Sequence, residues 1–280
     1  MNRFEGLLFC TDLDGTLFNN THTVSQENLD AIEYFKSEGG LFTFITGRVP
    51  QTTGAIYELV KPNAPFGCLN GGGIYDGARG EFLWKLFLPE TVAELLRETE
   101  RQMPEIGIQL NAESGIYFSS DNPAMERFRH VTNTPHAVCH FEEFKEPILK
   151  IVFGHHEEAK ITALAKLLQE HPLASEFDFI RSEQTLYEIL PKGASKGGLL
   201  CKLAELLSIS GLNTIAVGDY NNDVSMLQAA GLGFAVANAV PEAKAAADHI
   251  TVSNNEHAIA TIVEGLTNGT YRKPNSKIIV

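Results

Sequence analysis

The 280-residue chain is short of cysteine, short of basic charge and without any long apolar run. Its four cysteines, Cys10, Cys68, Cys139 and Cys201, stand far apart and form no Cys-x-x-Cys pair. That spacing argues against a disulfide framework or a zinc site, and points to buried thiols in a reducing compartment. Lysine and arginine number 22 against 35 acidic residues, a formal charge of −13. Such acidity argues against nucleic acid or an anionic membrane as partner, since both are polyanions. It leaves room for a small anionic substrate, which needs only a few local cations. No stretch approaches the roughly 18 apolar residues of a membrane span. The apolar run near the N-terminus is too short for a signal peptide. A cytoplasmic protein, monomeric or a small homo-oligomer, is the expectation. With 44% apolar and 20% charged residues, the chain has the balance of a folded protein and length for two domains.

What is present alternates. Gly6–Cys10 reads as a buried strand, and Ser25 as the cap of a helix that carries Leu29, Ile32 and Phe35 and stops at Gly39-Gly40. Leu41–Ile45 reads as a strand, Thr52–Val60 as a helix and Phe66–Leu69 as a third strand, the pattern of a doubly wound parallel sheet. Between about Trp84 and Leu190 the order changes to paired strands between single helices, with an irregular stretch around Pro123 and Pro135. After Pro191 the alternation resumes. The simplest organisation is an α/β Rossmann-like core from residues 1–84 and 191–280, with an α+β cap inserted over residues 85–190.

Acids gather at the ends of the core strands. Asp12 and Asp14, in Asp12-Leu13-Asp14-Gly15-Thr16, follow the first strand, and extended geometry points both the same way. In such folds ligands bind at the carboxyl ends of the strands, although a solvated turn has the same composition. Gly218-Asp219-Tyr220-Asn221-Asn222-Asp223 follows another apolar strand. It is not an EF-hand, because Val224 and Ala230 stand where the glycine and glutamate belong. Two acidic strand ends in one sheet repel unless a cation lies between them, and oxygen ligands of this kind suit magnesium. Thr46-Gly47-Arg48 and the helix start at Lys196 are each suited to an anion. Asn70-Gly71-Gly72-Gly73 lacks the spacing of a nucleotide loop and reads as a turn into a hairpin that lines the site.

These four elements in this order resemble the haloacid dehalogenase-like phosphohydrolases of the Cof type, over nearly the whole chain. Asp12-Leu13-Asp14-Gly15-Thr16 matches the first motif, Thr46-Gly47-Arg48 the second, Lys196 with Gly197 the third, and Gly218-Asp219 with Asn222-Asp223 the fourth. The resemblance implies a phosphatase with Asp12 as nucleophile and Asp14 as general acid and base. It implies magnesium held by Asp12, the Asp14 carbonyl and Asp219. Thr46, Gly47, Lys196 and Asn222 would bind the phosphate, with Thr16 and Asp223 supporting metal and lysine from behind. Arg48, Asn70 and Gly71 are further candidates. The implied substrate is a small phosphorylated metabolite, a sugar phosphate or a cofactor phosphate such as that of flavin or pyridoxal. Two other readings stand beside it: a sugar phosphomutase of the same superfamily, and a phosphometabolite-binding regulator without catalysis. In the cap, Asn111, Glu113, His155, Arg181 and Glu188 read as surface or strand-pairing residues before they read as specificity residues.

Overall fold

A computed structural model describes residues 2–132 and 136–271. The chain divides into two units. The first takes in the residues up to Gly47, Ala55–Trp84 and the chain from Ser195 onward; the second takes in Arg48–Gly54 and Lys85–Ala194.

The first unit is built on a parallel sheet. Strands β1 (Leu8–Thr11), β2 (Leu41–Phe44), β12 (Thr214–Gly218), β13 (Leu232–Ala235) and β14 (His249–Ile250) lie in the order β14-β13-β12-β1-β2. Every pairing between them is parallel. Strands covered on both faces read as continuous apolar runs, and Leu8, Phe9 and Cys10 of β1 are fully buried. Helix α1 (Gln26–Ser37) starts where Ser25 accepts the Asn28 N–H at 3.3 Å and buries Ile32 and Phe35. Helices α2 (Gly54–Val60), α6 (Lys196–Leu206), α7 (Val224–Ala229), α8 (Pro241–Ala246) and α9 (Ala258–Asn268) complete the helices of the core region. Because β1 leads to β2 on one side and pairs with β12 on the other, the strand order reverses at β1. Ligands bind at such a reversal.

The third strand departs from the expectation. β3 (Phe66–Cys68) is not a strand of the parallel sheet; it touches it through the isolated parallel bridge Ile45–Gly67 and pairs antiparallel with β4 (Gly73–Asp76). With β5 (Glu81–Lys85) these strands form a separate three-stranded sheet. The reason lies just after β3, where Leu69 and Asn70 both adopt left-handed backbone (φ 60° and 54°) and turn the chain back.

The second unit carries a six-stranded sheet in the order β10-β11-β9-β6-β7-β8. Its strands are β6 (Gly107–Asn111), β7 (Ile116–Ser120), β8 (His136–Val138), β9 (Lys150–Gly154), β10 (Phe177–Glu183) and β11 (Leu186–Pro191). Pairings are antiparallel except β7 with β8. Helices α3 (Val92–Gln102) and α5 (Glu158–Gln169) share one apolar core with Ile108, Leu110, Ile151, Phe153 and Ile189. The stretch read as irregular contains helix α4 (Pro123–Thr132) and strand β8. Asn122 accepts the Met125 N–H at 3.0 Å, so Pro123 starts the helix where its missing N–H costs nothing. Pro135 lies outside the described residues. Among the described residues no helix is long and apolar enough to cross a membrane.

Candidate active site

The carboxyl ends of β1 and β12 bring the acids together. Asp12 continues the β1 pairing, its N–H donating to the Val217 carbonyl at 2.9 Å. Its side chain is 7% exposed, and the carboxylate lies 2.6 Å from Lys196 Nζ. The chain then turns through Gly15 at φ +81°, where a Cβ would stand 2.4 Å from Asp219 Oδ2. Only glycine suits both the left-handed backbone and that approach. Thr16 Oγ1 donates to Asp219 Oδ1 at 2.9 Å, tying the two acidic loops. Asp14 is exposed, in contrast to Asp12.

Lys196 opens α6 behind the cap residue Ser195, whose side chain accepts the Gly198 N–H at 3.0 Å. Its ammonium is 1% exposed and lies 2.6 Å from both Asp12 Oδ1 and Asp223 Oδ1. Asp223 spends its other oxygen on the N–H groups of Asp219 (2.9 Å) and Tyr220 (3.1 Å). Both oxygens of Asp223 are therefore engaged within the protein, and its work is to hold Lys196 and the Asp219 loop.

Thr46 follows β2 and is buried, with its N–H donating to the Gly67 carbonyl at 3.0 Å and its carbonyl accepting the Asn70 N–H at 3.1 Å. Asn70 Oδ1 accepts from Asn222 Nδ2 at 3.0 Å, so Asn70 links the Thr46–Gly47 turn to the loop after β12. Gly71, at φ +110°, lies where a Cβ would stand 2.4 Å from the Ser195 backbone. The glycine run thus lets the hairpin turn press against the start of α6 and set Lys196 in place. Arg48 falls in the second unit.

The sequence profile of the haloacid dehalogenase-like hydrolases matches residues 9–263. This chain belongs to that family, in its Cof-type branch. A 5-amino-6-(5-phospho-D-ribitylamino)uracil phosphatase of Bacillus subtilis, YwtE, is 30% identical over 286 residues, covering 93% of this chain and 98% of its own. An HMP-PP phosphatase of Yersinia pseudotuberculosis is 29% identical, covering 83% of this chain and 84% of its own. A haloacid dehalogenase-like hydrolase from Bacteroides thetaiotaomicron has the same fold at TM-score 0.81, with 25% identity over 92% of this chain and 98% of that one.

In this haloacid dehalogenase-like hydrolase the charges do not balance. Burial pushes the Asp12 carboxyl well above the carboxylate range; Lys196 pulls it down, while Asp223, Asp219 and Asp14 push it further up. Burial and then the Asp223 charge raise Asp219 to about 6, against the donated bond from Thr16. Lys196 loses solvation through burial, yet Asp12 and Asp223 outweigh that loss and hold it above the usual lysine value. The lysine is thus a fixed positive charge, and it does not neutralise the acids around it. Carboxylate oxygens of Asp12, Asp219 and Asp223 lie within 4.8 Å of one another, and with those of Asp223 engaged, Asp12 and Asp219 are the acids left to a cation. An all-oxygen donor set with surplus negative charge fits a hard divalent cation, the kind of metal this family generally uses.

A second cluster, His155, His156 and Glu157, fits less well. His155 Nδ1 accepts the Glu157 N–H at 3.0 Å, so in the neutral ring the other nitrogen carries the proton and offers no lone pair. Of the other second-unit candidates, Asn111 Nδ2 donates to the Lys150 carbonyl at 3.1 Å, bracing neighbouring strands. Glu188 pairs with Lys150, Arg181 with Glu158, and Glu113 with Lys85. Sequence reading overlooked Asn238, whose side chain donates to the Gly15 carbonyl at 2.8 Å. An exposed asparagine in a loop carries no pattern that marks it.

Proposed function

We propose that this chain is a magnesium-dependent phosphatase of small phosphorylated metabolites, working through a phosphoryl-aspartate on Asp12. The observation that carries the reading is the buried Asp12 carboxylate, 2.6 Å from a buried lysine, in an acidic cluster with Asp219. An Asp12 oxygen attacks phosphorus as the bond from phosphorus to the leaving oxygen breaks. Asp14, exposed beside it, gives a proton to that oxygen and then takes one from the water that attacks phosphorus and frees Asp12. Lys196 holds a phosphate oxygen with a permanent charge. Thr46 and the Gly47 amide hold the others, and Asn222 assists through its place beside Asn70. Asp12, the Asp14 carbonyl and Asp219 would hold the magnesium, which supplies positive charge between an anionic nucleophile and an anionic substrate. The inserted unit sets which leaving group is accepted, and the cytoplasm supplies the substrates.

The names of the two relatives support phosphorylated biosynthetic intermediates and cofactor precursors as the panel to try, beside sugar phosphates. The test is phosphate release from that panel and from an aryl phosphate, with magnesium and with excess chelator. Release that needs magnesium supports the reading. Full activity with all metal stripped, isomerised sugar phosphate without free phosphate, or binding without turnover would each overturn it.

A further inference from the structure

Asn238 lies in the loop between β13 and α8, exposed, uncharged and unreactive. Its bonds are nevertheless directed at the acidic loops. Asn238 Nδ2 donates to the Gly15 carbonyl at 2.8 Å, and its Oδ1 accepts the Asn254 main-chain N–H at 2.9 Å. Asn254 Nδ2 in turn donates to the Phe18 carbonyl at 2.9 Å and to Asn20 Oδ1 at 3.1 Å. The same loop reaches the other acidic strand end. The Val236 N–H donates to the Gly218 carbonyl at 3.2 Å and the Val240 N–H to the Asp219 carbonyl at 2.9 Å. One short segment, residues 236–240, therefore fastens the turn after Asp14 and the loop that carries Asp219.

The turn after Asp14 needs such a fastening. Gly15 is at positive φ, with the freest backbone of any residue. Its α-carbon packs against the Asp219 carboxylate. If the Gly15 carbonyl loses its partner, the peptides on either side rotate, and the Asp14 carbonyl and the Asp219 carboxylate shift relative to Asp12. We infer that Asn238 is a positioning residue for the metal site, acting through the Gly15 carbonyl. The inference rests on the magnesium-dependent reading above. It also separates stability from function. Losing one exposed hydrogen bond changes overall stability only slightly. Removing a partner that orients a metal ligand typically weakens metal binding about 10–100-fold.

The experiment compares wild type, Asn238→Ala and Asn254→Ala as full chains. It reads magnesium chloride affinity by calorimetric titration, Tm in chelator, and kcat and KM for an aryl phosphate at saturating magnesium. Asn238→Ala is expected to weaken magnesium binding about ten-fold or more. It should lower kcat more than it raises KM and leave Tm nearly unchanged. Asn254→Ala keeps the main-chain donor to Asn238 but loses its bonds to Phe18 and Asn20. It should lower Tm while holding magnesium affinity within about two-fold of wild type, since no metal-orienting partner is lost. Wild-type affinity in Asn238→Ala overturns the inference, and so does an equal loss in both variants. Failure of the wild-type protein to bind magnesium overturns the proposed function itself, and that result is read before either variant is considered.

Discussion

Lys150 of the inserted unit and Lys196 of the first unit are both buried ammonium groups, and their surroundings differ in charge. Lys150 Nζ lies 3.0 Å from Glu188 Oε2, with both side chains 5% exposed. Its sheet neighbours Ile151 and Ile189 point the other way, into the apolar core. Lys196 is shared by Asp12 and Asp223, with Asp219 and Asp14 in the same field. The first arrangement matches a cation with a carboxylate inside a sheet. The second leaves the acids in excess, which raises the energy of the metal-free protein and makes a place for a divalent cation. The difference teaches that a buried lysine is not informative alone; the count of acids around it is.

The comparison breaks most sharply at the lysines themselves. Lys196→Ala removes the fixed charge that, on the proposed function, holds a phosphate oxygen, and should lower kcat/KM by about 10²–10³, as loss of one transition-state donor does. Steady-state kinetics on an aryl phosphate measures it. Lys150→Met instead leaves Glu188 buried without that cation and should cost about 3–5 kcal/mol of stability. Denaturant melts should show this loss, together with near-complete recovery in Lys150→Met/Glu188→Leu. Aryl phosphate turnover by the folded fraction should stay near wild type.

The excess of acid predicts a pH signature. Asp219 is raised in the folded chain from its ordinary 3.8 to about 6. The folded protein therefore holds this proton more tightly than the unfolded one. The resulting stabilisation is complete below about pH 4 and lost as pH rises through about 6, a difference of about 3 kcal/mol. In chelator, Asp219→Asn should thus melt at higher temperature than wild type at pH 8, by up to about that energy, and show little advantage at pH 4. On the proposed function, magnesium binding at Asp219 displaces the same proton. Its apparent affinity for wild type should weaken as pH falls below about 6, approaching ten-fold per pH unit. Titrations at pH 5, 6, 7 and 8 check this, and a flat profile would mean that Asp219 is not a ligand.

Much of this was legible before any coordinates. Asp12, Asp14 and Asp219 stand directly after apolar runs, so reading the strands also placed the acids at strand ends. The helix start read at Lys196 is the start of α6, where Ser195 is the cap. The hairpin after β3 is legible in Asn70-Gly71-Gly72-Gly73; that it takes β3 out of the parallel sheet is not, because this depends on left-handed backbone at Leu69, a residue type that rarely adopts it. Helix α4 lies in the stretch around Pro123 that reads as irregular in the sequence, although at the first helical position proline is favourable. Asp223 reads in the sequence as a support for metal and lysine, and the folded loop turns its oxygens to Lys196 and to the Asp219 and Tyr220 amides. Asn238 was invisible in the sequence. A side chain that serves a distant main-chain carbonyl leaves no periodicity, charge or spacing in the sequence.

On the proposed function, the acidic end of the parallel sheet uses a divalent cation to let Asp12 take a phosphoryl group. The most direct measurement mixes excess protein with a phosphate ester and magnesium, quenches in acid within one turnover, and maps the peptides by mass spectrometry. The account predicts a phosphoryl group on the peptide at Asp12, absent in chelator and absent in Asp12→Asn. A phosphoryl group on another residue, or normal turnover by Asp12→Asn, would contradict it.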